Sequence, residues 1–288
     1  MHYSVLKNER EKSMSENEAV AAHYVHGSLL KSIAAALPGL GKTTETVTIA
    51  DLGPVDEFHI GGRVATNAFL SQLKFSEQAH VLDVGCGLGG ASRFAAETFK
   101  TKVSGIDLTH EYIETGRALN TWVGLGDKIN LQQGSALAMP FPDGHFDGGF
   151  MLHVGMNIED KGALFKEIAR VLRPGSAFGV YDIMRMNDGN LIYPVPWASE
   201  NKICSVATLD AYRSALGAAG FEISAERNRR DFALESFKAM REKTAANGGP
   251  PPLSLHTLMK AQTATKIKNL VDNISGGRVA PVEMIAHK

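Results

Sequence analysis

The chain has 288 residues, enough for one sizeable hydrophobic core, and its 44% hydrophobic and 21% charged residues are those of a folded globular protein, not a disordered one. Thirty basic and 31 acidic residues leave a net charge of -1, and no stretch gathers the Lys/Arg density that a phosphate backbone demands, so nucleic acid is not an expected partner. No apolar run is long enough to span a bilayer, the first residues carry no apolar leader, and Cys86 and Cys204 suit burial in a reducing compartment; a cytoplasmic protein without a membrane partner is expected.

Residues 1 to about 16 are polar and expected to be mobile. In "SENEAVAAHYVHGSLLKSIAAAL" the spacing of Ala22, Val25, Leu29, Ile33 and Leu37 predicts one helix, with Ser15 as its N-cap and Glu18 three residues on. "PGLGKTTETV" ends it, "ADLGPVDEFHIGG" reads as turn-rich, and Arg63 to Lys74 reads as a second helix. From His80 onward strands and helices alternate. Strands are expected at His80 to Val84, Lys102 to Asp107, Ile129 to Gln133, Phe146 to Leu152 and Ser176 to Met184, with helices starting near Gly90, Glu111 and Gly162. Such alternation predicts an α/β fold, a doubly wound and mostly parallel sheet with helices on both faces. A long Pro-containing connection, "RMNDGNLIYPVPWASENKICS", is expected to cover something. A helix stopped by Gly220, a strand, two helical stretches split by "NGGPPPLS" and a final strand "RVAPVEMIAHK" complete the chain. The expected division is a helical extension over 1-54, a nucleotide-binding domain over 55-230, a helical cap over 231-275 and a last strand over 276-288. The late helices suit a substrate cap or a homodimer surface.

The glycine loop in "HVLDVGCGLGGASRFAA" is ambiguous alone, because Gly85, Gly87 and Gly90 satisfy G-x-G-x-x-G while Gly85, Gly87 and Gly89 satisfy G-x-G-x-G. Three features bear on the choice between NAD and S-adenosylmethionine, and together they point away from NAD. Asp83, at the end of the first strand, would repel a pyrophosphate but can reach the cationic amino-acid part of S-adenosylmethionine. Asp107, at the end of the second strand, is placed to take both ribose hydroxyls, a demand both cofactors share. After the fifth strand no second nucleotide-binding half follows.

The successive motifs "VLDVGCGLGG", "VSGIDLT", "GSALAMPFPDGHFD", "EIARVLRPGSAF" and "AAGFEI" resemble those of the class I S-adenosylmethionine-dependent methyltransferases, in their small-molecule branch (methyltransferase type 11), over about residues 55 to 226. The resemblance implies a Rossmann-like seven-stranded sheet whose last strand, Val279 to His287, runs antiparallel. It also implies that Gly85, Gly87 and Gly89 bend the backbone under the cofactor, that Asp107 holds the ribose, that Leu108 flanks the adenine, and that Ser135, at the place that accepts from the adenine amine, and Ala136 bind the cofactor. Ser135 stands where the family usually has Asp. No metal ligand set is expected.

Methyl transfer is an in-line displacement whose leaving thioether needs no proton, so a base is required only if the acceptor must lose one. No Asn/Asp-Pro-Pro-aromatic signature follows the fourth strand, which argues against nucleobase amines as acceptors. In "MLHVGMNIED", His153 is a candidate base or orienting group, or a polar wall residue, and Asn157 bonds substrate or caps the next helix. "VYDIM" is expected to put Tyr181 and Asp182 at the rim, where Asp182 holds an ammonium or caps a turn. Tyr193 and Trp197 suit a cation-π site for a methylated ammonium, or a hydrophobic lid. His59, beside Asp56 and Glu57, is a second candidate base or a local cap. Arg63 and Arg185 are candidate partners for a substrate carboxylate. Within the family, "GSALAMPF", "DIM" and the glycine-bearing entry segment are most similar to sarcosine/dimethylglycine N-methyltransferases, which implies a small amine acceptor. The alternatives are O- or C-methylation of a phenol, quinone or terpenoid, favoured if the apolar side of residues 231 to 274 lines the pocket, an NAD(P)-dependent oxidoreductase, and a cofactor-binding partner subunit that has lost catalysis.

Overall fold

The computed structural model describes residues 18–288, so the Ser15 cap and the mobility expected of residues 1 to 16 lie outside the described residues. Its centre is a seven-stranded sheet in the order β3-β2-β1-β4-β5-β7-β6. Strands β1 (His80–Val84), β2 (Lys102–Asp107), β3 (Ile129–Gln133), β4 (Phe146–Leu152) and β5 (Leu172–Arg185) pair in parallel. β7 (Val279–His287) slots antiparallel between β5 and β6 (Glu222–Asn228), as the family resemblance implied.

The central strands are apolar on both faces because helices cover both, the pattern required of a parallel sheet. Four of the five β1 residues are buried. Glycines in β4 bring a helix-side ring close. A Cβ on Gly148 would lie 2.7 Å from Phe75 Cε1, so the absent side chain is what lets that ring pack on the strand. β6, the edge, is the exception: it is mostly exposed and carries Glu226 in a paired fork with Arg213, charge that discourages pairing with another chain.

Helices α5 (Gly90–Thr98), α6 (His110–Trp122), α7 (Lys161–Val171) and α8 (Leu209–Ala218) make the crossovers. α9 (Arg230–Ala246), α10 (Leu255–Met259) and α11 (Thr263–Ser275) form the insertion before β7. Phe237, Leu270 and Ile274 of that insertion pack with Ile60, Met156, Ile183 and Trp197 in one buried cluster.

Two segments differ from expectation. The single N-terminal helix is two: α1 runs through residues 18–24 and α2 spans Leu29–Ala36. Gly27 takes a left-handed φ of 85° between them. The backbone donors freed by the break, on His26, Gly27 and Leu29, all bond the Glu111 carboxylate, at 2.6, 2.7 and 2.9 Å. A tertiary partner thus makes a break affordable that local periodicity did not signal. The turn-rich segment is instead helix α3 (Ile49–Asp56), which closes a Thr48/Asp51 capping box and carries Pro54 inside it. The second helix, α4, spans Gly62–Leu70 and continues as a tight turn to Leu73.

Candidate functional site

At the carboxyl ends of β1, β2 and β4 lies a cleft of about 1090 Å³ counted out to open solvent. The loop from β1 to α5 forms its floor. Gly85 and Cys86 donate to the Ile106 carbonyl at 2.8 and 3.0 Å, which lashes the loop to β2. Gly85 has φ 69°, and a Cβ there would sit 2.3 Å from Val154. Gly87 has φ 53° and open space where its Cβ would be, so the bare backbone faces room for a ligand. Gly89 is not among the cleft-lining residues; it starts α5 at φ 81°, with Leu131 3.0 Å from a Cβ placed there, so it shapes the turn. Cys86 is buried, and burial raises its thiol well above the ordinary range.

Two carboxylates face this floor. Asp107 accepts the N–H of Gly87 at 3.0 Å and of Thr109 at 2.8 Å; burial pushes its carboxyl up and those bonds pull it down. Asp83 is buried, accepts the Ser92 hydroxyl at 2.6 Å, and is pushed up to about 7 by burial. Leu108, Ser135 and Ala136 line the same wall. Asp56 lines it from α3, with one oxygen 2.6 Å from the buried Arg93 guanidinium.

His59 and His153 stand at the other end, their ring centroids 6.0 Å apart. His153 is held just past β4 at φ 53°, a region non-glycine residues seldom enter, with its N–H on the Tyr181 carbonyl at 2.7 Å. The Ile60 N–H donates to His153 Nδ1 at 3.3 Å, while Nε2 is buried without a partner. Burial, then His59, hold His153 well below its ordinary value. His59 Nε2 lies 3.2 Å from the Gly62 carbonyl and 2.9 Å from the Thr66 hydroxyl. Thr66 in turn donates to Glu57 at 2.6 Å, and Arg63 pairs with the other Glu57 oxygen. Burial lowers His59 to about 4. Both imidazoles are therefore neutral near pH 7.

Beyond the histidines a second cavity opens, about 400 Å³ counted out to open solvent in the same way, sharing Phe58, His59 and His153 with the first. Ile60, Met156, Ile183, Pro196 and Trp197 line it, with Phe237, Leu255, Ile267 and Leu270 from the insertion. Trp197 Nε1 is occupied by Cys204 Sγ at 3.3 Å. Among the described residues, neither cavity is lined by a lysine or an arginine.

Several expected site residues are elsewhere. Asp182 is fully buried off the cleft, accepting the Tyr212 hydroxyl at 2.7 Å and the Ile183 N–H at 2.8 Å, because strand alternation turns it to the α7/α8 side. Tyr181 is buried too, its hydroxyl on the Ile60 carbonyl at 3.1 Å. Tyr193 lines neither cavity and meets Asn201 at 3.1 Å. Arg63 is occupied by Glu57, and Arg185 bonds the Gly189 carbonyl at 2.9 Å. Asn157 does line the cleft, its Nδ2 donating to Tyr24 at 2.9 Å and its buried Oδ1 unpartnered. Tyr24 and Val20 of α1, Phe58, and Leu258 of α10 close the cleft from outside the alternating core; no motif marks them. Lys260, just past α10, donates to the His26 carbonyl at 3.0 Å and joins these two covers.

Comparison with known proteins agrees with this geometry. Residues 82–180 match a family model described as a methyltransferase domain. The chain is 44% identical over 96 residues, 33% of its length, to a protein from Oryza sativa subsp. japonica provisionally assigned as a chloroplastic tocopherol O-methyltransferase. It is 34% identical over 117 residues, 41% of its length, to a sterol 4-C-methyltransferase from Caenorhabditis elegans. These matches span 26% and 35% of the relatives' own lengths. The fold superposes with TM-score 0.64, at 21% identity, on a Galdieria sulphuraria protein provisionally assigned as a sarcosine dimethylglycine methyltransferase, covering 83% of this chain and 94% of that one. Among the described residues, no helix is long and apolar enough to cross a membrane.

Proposed function

We propose that the chain, whose residues 82–180 match a methyltransferase domain, is a class I S-adenosylmethionine-dependent methyltransferase that transfers a methyl group to an apolar small molecule bound in the second cavity. The observation that carries this reading is the lining of that cavity, hydrocarbon and aromatic apart from the two histidines and supplied in good part by the insertion. A methylated glycine, the acceptor implied by the sub-resemblance, is disfavoured. Its carboxylate would enter without a lysine or arginine from the described lining, and burying an unpaired charge costs several kcal/mol (~).

The first cleft fits the cofactor: bare backbone at Gly87, a carboxylate at Asp107 for the ribose diol, and a buried carboxylate at Asp83 for a cationic amino-acid end. When bound, the cofactor supplies an electrophilic methyl group on a sulfonium. The chain's residues orient that group toward the shared wall at Phe58, His59 and His153 and keep water from it.

The acceptor class is tested by release of S-adenosylhomocysteine with sarcosine, dimethylglycine and a series of alkylphenols and prenols. Release with the apolar series alone is expected; release with the amino acids alone overturns the reading.

Asp83 sets an expected pH dependence. Burial pushes its carboxyl up to about 7, and a neighbouring ammonium lowers that value, so binding expels a proton below pH 7. S-adenosylmethionine affinity should rise up to about fivefold from pH 6 to 7, gain at most about a further twofold by pH 8, and level off there. Calorimetry on Asp83→Asn should find that slope gone; an unchanged slope places the ammonium elsewhere.

A further inference from the structure

The hydrogen bonds of the two histidines assign their tautomers. The Gly62 carbonyl can only accept, so His59 carries its proton on Nε2 and keeps a lone pair on Nδ1. The Ile60 N–H can only donate, so His153 Nδ1 is the lone-pair nitrogen and its proton sits on Nε2, the atom left buried without a partner. Two neutral imidazoles 6.0 Å apart, both lining the junction of the two cavities, thus offer one acceptor and one donor.

The geometry points to a hydroxyl-bearing acceptor, a phenol or enol on a hydrocarbon frame, whose oxygen is methylated between His59 and His153. This rests on the apolar-acceptor reading above and adds the atom. A hydroxyl is a small neutral group that donates to one ring and accepts from the other; an alkene can do neither, a tertiary amine can only accept, and an alkylamine that keeps an N–H is an ammonium near pH 7 with no lone pair to accept with. The acceptor oxygen takes a hydrogen bond from His153 Nε2–H and directs its own O–H at His59 Nδ1. Its lone pair forms the new C–O bond as the methyl C–S bond breaks, the electron pair of that bond staying on sulfur. The O–H proton passes to His59, whose imidazolium is steadied through Nε2–H by the Gly62 carbonyl and by Glu57, 3.8 Å away. Thr66 and Glu57 are positioning residues: the Glu57 carboxylate accepts the hydrogen bond of the Thr66 hydroxyl, which leaves the Thr66 oxygen free to accept from His59.

The test uses the full chain labelled with 15N, with S-adenosylhomocysteine bound and 4-octylphenol or its methyl ether, 4-octylanisole, added. Two-bond imidazole correlations should report Nε2–H for both histidines. 4-Octylphenol should shift His59 Nδ1 and His153 Nε2, and 4-octylanisole should leave His59 Nδ1 unmoved. With S-adenosylmethionine, 4-octylphenol should yield 4-octylanisole and S-adenosylhomocysteine one to one, and His59→Gln should slow this about 100-fold while S-adenosylhomocysteine affinity stays within twofold. An Nδ1–H tautomer at either histidine overturns the proposal in the unaltered protein, whether or not the variant folds. If both probes bind and neither moves the His59 signal, the hydroxyl assignment fails while the apolar reading stands. If neither probe binds, the apolar reading itself fails.

Discussion

Asp107→Ala is expected to weaken S-adenosylmethionine binding about 5- to 150-fold, the equivalent of about 1–3 kcal/mol. The Asp107 carboxylate already accepts two backbone N–H groups, from Gly87 in the loop and Thr109 at the start of α6. Truncation strands both donors in a half-buried place and removes the acceptor proposed for the ribose hydroxyls, so loop order and ligand contact are lost together. Asp107→Asn is not a rescue, because its amide would set N–H against a backbone N–H. Titration calorimetry with S-adenosylhomocysteine checks this; equal affinities for variant and parent would take Asp107 out of the ribose site.

Asp182→Ala is expected to destabilise the fold by about 2–4 kcal/mol and to leave cofactor affinity within twofold. The carboxylate is completely buried; removing it leaves the Tyr212 hydroxyl and the Ile183 N–H without their acceptor, takes the counter-charge from the nearby Lys161 ammonium, which keeps its bonds to the Ile158 and Ser205 carbonyls, and opens a cavity. Burial raises its carboxyl to about 6. The native state therefore keeps a proton that the unfolded state has lost between about pH 4 and 6, and this group's contribution to stability declines as pH rises through that window and is gone above it. Asp182→Asn should flatten that part of the stability curve. Denaturant unfolding at several pH values, beside calorimetry, separates the outcomes: loss of turnover with unchanged stability would return Asp182 to the chemistry.

The alternating core was legible because its signals are local. β1, β2, β3 and β4 begin and end where their apolar runs do, and the glycine loop and Asp107 follow from them. The site's other half was not. Period alone puts Asp182 near the mouth of the sheet, but which face a strand turns to the cleft is settled by the layers packed on it. Pro54 and Gly53 hid α3, although Thr48 and Asp51 carried its cap in plain sight. Tyr24 and Leu258 reach the cleft from segments more than 200 residues apart, and no spacing rule joins them. His59 and His153 were readable as candidates. What each can do depends on one backbone carbonyl and one backbone N–H that only the folded chain supplies.

The bond from Lys260 to the His26 carbonyl has a consequence for traffic. The two covers of the cleft come from opposite ends of the chain and are buckled to one another, beside a turn that pivots at Gly27 and is anchored by Glu111. Losing that one exposed bond uncouples the two covers from each other, while His23 on the Pro196 carbonyl and Tyr24 on Asn157 still hold the first of them in place. A chain that begins at residue 25, without the cover that Val20 and Tyr24 supply, is expected to release S-adenosylhomocysteine faster and hold it less tightly, read by stopped-flow and calorimetry.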